Sequence, residues 1–223
     1  MKIYGVPLSV HTRKVQIALR AKGLAHDMSV VSPILPETLP PDWATLSPSG
    51  LIPVIVDDGF SLPDSAAILQ YLDARYPEIP IIPQRPQDRG RALWFEAHLG
   101  AFFRAVIHPL FHQRVVAPMQ GRATDGAVTH RALTEAAPRY LSYLNGQVSG
   151  DWLVGGSLSV ADIAVAANLV LLHYLGERET VAQYPALDDY FRRLLATPVF
   201  VAQLDAEEPF ARQMGLSQES LRH

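Results

Sequence analysis

The sequence predicts a small α/β domain with the element order βαβ-ββα, followed by an all-α helical bundle. Three observations carry that prediction. Of the 18 prolines, 12 fall within residues 1–86 and six are spread over the remaining residues of the 223, spaced as helix boundaries would be. Short runs with strand character occur only in the first part, while long runs with helical apolar spacing fill the second. Between them lies Ile79-Pro80-Ile81-Ile82-Pro83-Gln84-Arg85-Pro86, where dense prolines remove backbone donors and hold the chain extended. The expected layout is a first domain over 1–78, a linker over 79–86, a helical domain over 87–210 and a polar tail over 211–223. The tail is expected to be mobile or to cover a cleft.

Each element has a local reason. Lys2 to Gly5 is a short strand candidate. Thr12 to Lys22 places Val15, Ala18 and Leu19 on one face before Gly23 stops the helix. His26 to Val31 is a second strand, and Ser32 to Pro48 is too rich in proline for a long helix. Ile52 to Val56 and Phe60 to Leu62 flank an Asp58-Gly59 turn and read as a hairpin. Asp64 or Ser65 then caps a helix whose Ile68, Leu69 and Leu72 recur at helical spacing until Pro77.

The second part reads as helices throughout. Asp88 to about Val116 is one long pattern with a kink expected at Pro109; Val128 to Asn145 is a second, ending near Gly146. Val160 to Leu175 is a third, with almost no polar face, and so the buried centre of the bundle. Its start, Ser159-Val160-Ala161-Asp162, is a capping box with Asp in place of Glu, worth ~1 kcal/mol. Tyr184 to Leu195 and Val199 to Leu204 are shorter pieces.

Composition excludes several chemistries. The chain has no cysteine, so it has no disulfide, no thiolate metal site and no sulfur nucleophile of its own. A net charge of −3 without a basic run argues against nucleic acid as a partner. Met1 to Ser9 lacks the positive flank and apolar run of a signal peptide, and no stretch is apolar enough to span a membrane. The expectation is a cytoplasmic protein with no membrane partner. His108 and His112 stand four apart but lack a third ligand at a supporting offset, so no metal is expected there.

Together these motifs resemble the cytosolic glutathione transferases, over nearly the whole chain. The segment Tyr4-Gly5-Val6-Pro7-Leu8-Ser9-Val10-His11-Thr12-Arg13-Lys14-Val15 is similar to the catalytic segment of the serine-using classes, phi and theta-like or related bacterial ones. The resemblance implies a thioredoxin-like first domain with Ser9 as the catalytic hydroxyl, Thr12 and Tyr4 being the alternatives. It implies that Pro53 is a cis-proline, that the backbone of Ile52 pairs with the cysteinyl part of glutathione, and that Asp64 and Ser65 hold the γ-glutamyl end. It further implies a homodimer that takes glutathione as co-substrate, with no permanently bound cofactor, and a small hydrophobic electrophile held by residues such as Leu8 and Phe102. Peroxide reduction, isomerisation, dehalogenation and non-catalytic binding are alternatives on the same fold. The family often carries Lys or Gln where Leu51 stands and His or Lys near Thr38 and Leu39. This chain has no basic side chain in Ser32 to Ser61, so nothing there is cut out to hold the glycyl carboxylate.

The chemistry asked of Ser9 is modest. A free thiol with a pKa of ~8.5 is only a few per cent thiolate at neutral pH, so conjugation needs that value lowered. A hydroxyl hydrogen bond and the positive end of a helix can together supply the ~2.7 kcal/mol for a shift of about two units. Ser9 is thus expected to donate to a bound thiolate and not to act as base or covalent nucleophile.

Overall fold

The computed structural model describes residues 1–221. A four-stranded sheet of order β2-β1-β3-β4 forms from β1 (Lys2–Gly5), β2 (Asp27–Val30), β3 (Val54–Asp57) and β4 (Phe60–Pro63). β1 pairs parallel to β2 and antiparallel to β3, and β3 and β4 form the hairpin expected around Asp58-Gly59. Helices α1 (Val10–Ala21) and α3 (Ser65–Arg75) pack together beside the sheet. This is the thioredoxin-like arrangement. The proline-rich stretch after β2 holds only a 3₁₀ turn at Pro36–Thr38 and the single-turn α2 (Trp43–Leu46). Gly5 is required where α1 crosses β1, because a Cβ there would lie 2.4 Å from Thr12 Oγ1.

The second half is helical: α4 (Pro86–Phe102), α5 (His108–Phe111), α6 (Ala117–Met119), α7 (Gly126–Arg131), α8 (Ala137–Gln147), α9 (Val160–Tyr174), α10 (Arg178–Ala182), α11 (Pro185–Leu195) and α12 (Pro198–Gln213). Every residue of α9 except His173 is buried, as its composition predicts. Its capping box forms: Asp162 Oδ2 accepts the Ser159 N–H at 2.7 Å, and Ser159 Oγ accepts from the Ala161 amide. Asp162 Oδ1 also ties the Leu153 amide and the Tyr190 hydroxyl to the helix start.

The expected kink at Pro109 takes a more specific form. α4 to α6 run on as one helix interrupted by π turns at Phe103–Ile107 and His112–Val116, and a third π turn, Ala132–Ala136, separates α7 from α8. Each turn ends two residues before a proline: Pro109, Pro118 and Pro138. Proline lacks an N–H and its ring meets the carbonyl four residues back, so the ordinary bond cannot form there. The helix widens instead. The amides of His108, Ala117 and Ala137 bond to carbonyls five residues earlier, those of Phe103, His112 and Ala132.

The two halves are joined through α1, which packs on α9 and α12 as well as on α3. Arg13 and Glu207, 1% and 0% exposed, form a two-pronged ion pair at 3.0 and 3.3 Å. Arg13 also donates to the Ala167 carbonyl, and Tyr174 donates to Glu207, so the buried charges are hydrogen-bonded on several sides. The linker is held from the first half: Asp73 accepts the Ile81 and Ile82 amides, and Lys22 donates to the Tyr76 and Ile79 carbonyls. The tail departs from expectation. α12 extends to Gln213 and through Pro209, and Gln218 then donates to the Tyr174 hydroxyl and Leu204 carbonyl while Leu221 is buried. The described part of the tail is docked on α9 and α12; Arg222 and His223 lie outside the described residues. No helix among the described residues is long and apolar enough to cross a membrane.

Candidate functional site

Strand register collects the candidate residues at one end of the sheet. Tyr4 pairs with Val54, and Val54 with Pro63. The segments that leave this row are Gly5 to Ser9, Ile52-Pro53 and Asp64-Ser65. Strand alternation and the two hairpin-like returns therefore bring three sequence-distant motifs to the same edge.

Two of them are helix starts. Ser9 is the N-cap of α1, with φ −65° and ψ 130°, and its Oγ accepts the Thr12 amide at a long 3.5 Å. Because it accepts in this bond, the half-buried hydroxyl keeps its proton to donate elsewhere. Asp64 is the N-cap of α3, where Oδ1 accepts the Ala66 and Ala67 amides at 2.9 and 3.1 Å. It does so at φ 75° and ψ 120°, a conformation that costs a non-glycine residue ~1–3 kcal/mol. Strain of this kind collects at functional sites. The positive ends of an 11- and a 12-residue helix thus lie side by side, a setting for anions. The Ile52–Pro53 peptide between them is cis.

His11 links the two helix starts, and sequence reasoning did not single it out. Its Nδ1 lies 3.3 Å from Ser65 Oγ, and its ring meets Phe103 edge-on at 4.6 Å between centroids. Burial, helped by the nearby cations Lys14 and Arg104 and opposed by Asp64, lowers its pKa to about 4. The imidazole is neutral at physiological pH. Its signal was its place two residues after Ser9, on the first turn of α1.

The other candidates fall in different places. Thr12 is fully buried against Gly5 and its hydroxyl is closed off, which removes it as the alternative to Ser9. Tyr4 lies on the sheet face that carries Trp43, with ring centroids 6.4 Å apart, whereas Ile3 and Gly5 face α1; it is a packing residue. Phe102, expected at an electrophile pocket, is wholly buried beside Tyr140. Its neighbour Phe103 is the ring turned toward the first half. Leu8 is 9% exposed and belongs to the core. Thr38 spends its hydroxyl on the Ser32 amide and Leu35 carbonyl, Leu39 packs near Trp43, and Leu51 is 64% exposed. Among the described residues no group of three metal-ligating side chains occurs, and His112 Nε2 is engaged by Arg122 at 3.0 Å.

Comparison with known proteins gives two family matches. A model described as the glutathione S-transferase N-terminal domain matches residues 3–80, and one for the C-terminal domain matches residues 110–204. A glutathione S-transferase of Triticum aestivum is 26% identical over 214 residues, 94% of this chain and 95% of that protein. FtsZ-localized protein A of Caulobacter vibrioides is 26% identical, over 89% of this chain and 88% of its own. The crystal structure of a glutathione S-transferase from Rhodospirillum rubrum F11 superposes with a TM-score of 0.82 at 25% identity, over 91% of each chain.

Proposed function

Because this chain belongs to the glutathione S-transferase family, we propose that it binds glutathione at the paired helix starts and activates its thiol for attack on a small electrophile. The observation that supports this best is the meeting of the start of α1, capped by Ser9, with the start of α3, capped by Asp64, through the His11–Ser65 contact. Glutathione presents an ammonium, carboxylates and an ionisable thiol. Asp64 faces the ammonium, the Ser65 hydroxyl and amide take the adjacent carboxylate, and the Ile52 backbone pairs with the cysteinyl unit. The Ser9 hydroxyl donates to the sulfur, while the α1 terminus favours its negative charge.

The thiol proton leaves to solvent on binding. The sulfur lone pair then forms the C–S bond, and a leaving group departs with its bonding pair. Holding both reactants supplies the remaining advantage by proximity. A homodimer is the family expectation, and sedimentation at micromolar concentration tests it.

Calorimetry with glutathione, together with a thiolate absorbance titration of the complex, tests the whole reading. Wild type is expected to show a thiol pKa lowered by about two units, and Ser9→Ala to return most of that shift and lose roughly a hundredfold in turnover. Absence of binding at millimolar glutathione overturns the proposal. A second reading, a binding protein without catalysis, is favoured by one observation: residues 32–61 hold no Lys, Arg or His to receive the glycyl carboxylate. Weak glutathione binding with an unshifted thiol pKa, together with a stable protein complex in pull-downs, would decide for it.

A further inference from the structure

From Ala97 to Thr124 the chain carries Arg104, Arg114, Arg122, His98, His108 and His112 and no Asp or Glu, within a protein of net charge −3. Side-chain contacts show which of these face the proposed glutathione site. Glu96 pairs with Lys14 of α1 at 2.5 Å and so marks the side of α4 turned toward the first half. Helical spacing puts Gly100, Phe103 and Arg104 on that side. Phe103 meets His11, and the exposed Arg104 guanidinium lies back over Gly100, whose Cβ, if present, would be 3.7 Å from Nη1.

Above Phe103 the π turn sets the register. In an ordinary helix Ile107 would come after Phe103 on this face, but Ile107 is wholly buried. The added residue brings His108 into line instead, with its ring 6.1 Å from Phe103, and His112 lies a further 6.5 Å along. Arg122 donates to His112 Nε2, since a guanidinium has no acceptor, and extends the same strip with a second fixed positive charge. Arg114 does not belong to it, being held by Glu177 and the Leu175 carbonyl. Two carboxylates lie by the lower end of the strip: Asp64, which caps α3 and acts on His11, and Glu96, which is paired with Lys14.

We propose that the second substrate is an electrophile bearing a carboxylate, which Arg104 and His108 receive above the Phe103 ring. This rests on the glutathione reading and narrows it from a hydrophobic electrophile to an acidic one. Phe103 contributes an apolar surface for the body of the substrate, and the guanidinium offers a two-pronged match to its acid group.

The test compares S-hexylglutathione with S-(5-carboxypentyl)glutathione by calorimetry. They share the glutathione part and nearly the same chain length and differ in the terminal acid. Wild type is expected to bind the carboxylate conjugate about tenfold more tightly at low salt, with the advantage shrinking as salt rises. Arg104→Gln is expected to bring the two affinities together, and His108→Phe, which keeps the ring contact, to reduce the difference. Equal affinities in wild type, or a preference that survives Arg104→Gln, overturn the inference while leaving the glutathione reading intact. If neither conjugate binds, the glutathione reading fails, and 4-chloro-3-nitrobenzoate added alone then tests the strip through the His108 and His112 ring signals. Shifts present in wild type and lost in Arg104→Gln support an acid site; unmoved signals at about 10 mM probe overturn it.

Discussion

The proposed glutathione end of the first half and the facing wall of the second are built by opposite uses of the helix. At the first, two helices begin: Ser9 and Asp64 cap them, accepting the Thr12 amide and the Ala66 and Ala67 amides. At the second, a helix passes by without stopping, and a π turn decides which side chains it presents. Recognition by helix ends needs only a few local residues. Recognition by a helix face depends on register, which one extra residue in a turn can change. The largest test of the comparison cuts the bond between the two regions. Glu207→Leu leaves Arg13 buried and unpaired, which is expected to cost ~3–5 kcal/mol and about 10 °C in thermal midpoint. Arg13→Met together with Glu207→Leu is expected to recover most of that loss; a double variant as unstable as the sum would show that the pair is not the joint.

A second contrast is between two histidines. His11 and His173 both have a pKa lowered to about 4, chiefly by burial. His11 has Ser65 as a partner, whereas both ring nitrogens of His173 lack one among the described residues. Between about 4 and the usual 6.5 the unfolded chain takes up a proton that the folded ring refuses. Stability therefore falls as pH falls through that window and is flat for this group above it. His173→Phe, keeping the edge contact with Phe191, is expected to raise stability at pH 5 by about 2 kcal/mol and by less at pH 8. Denaturant melts at the two pH values check it, and an equal gain at both would assign the effect to packing alone.

Asp64 allows stability and binding to be separated within the first region. Asp64→Ala loses the cap and keeps the positive φ, and is expected to cost about 1 kcal/mol. Asp64→Gly suits that backbone conformation and is expected to cost only a few tenths. Both remove the carboxylate, so both are expected to lose glutathione affinity alike, by roughly tenfold. Affinity that tracks stability across the two variants would reduce Asp64 to a cap.

The same difference explains what could be read in the sequence. The Asp58-Gly59 hairpin, the Ser159 box and the buried α9 were legible because each is written in adjacent residues, whereas the cap of α3 stayed open between Asp64 and Ser65 and α1 starts two residues before the Thr12 its pattern suggests. His11 was not singled out, because its role comes from Ser65 and Phe103, 54 and 92 positions away. Thr12 stayed open as the alternative to Ser9 until the crossing at Gly5 showed its hydroxyl enclosed. The choice between Phe102 and Phe103 turns on how α4 is rotated against α1. Even the proline at 109 was visible, but not that the helix would answer by widening by one residue.

That widening is itself open to test, with the smallest effect on stability. Pro109→Ala restores an N–H that can bond to the Ala105 carbonyl and removes the ring that blocks it. The turn can then relax to ordinary spacing, at a gain or loss within about 1 kcal/mol. One residue fewer in the turn rotates the downstream helix by about 100°, which carries His108 away from Phe103. The variant is therefore expected to keep its thermal midpoint and its affinity for S-hexylglutathione while its preference for the carboxylate conjugate falls as far as in His108→Phe. A preference kept in full would mean that Arg104 alone, which precedes His108 and lies outside the rotated segment, sets the selectivity. Loss of preference with stability unchanged would show that a proline two residues beyond a helical turn can specify which side chains a helix turns toward its substrate.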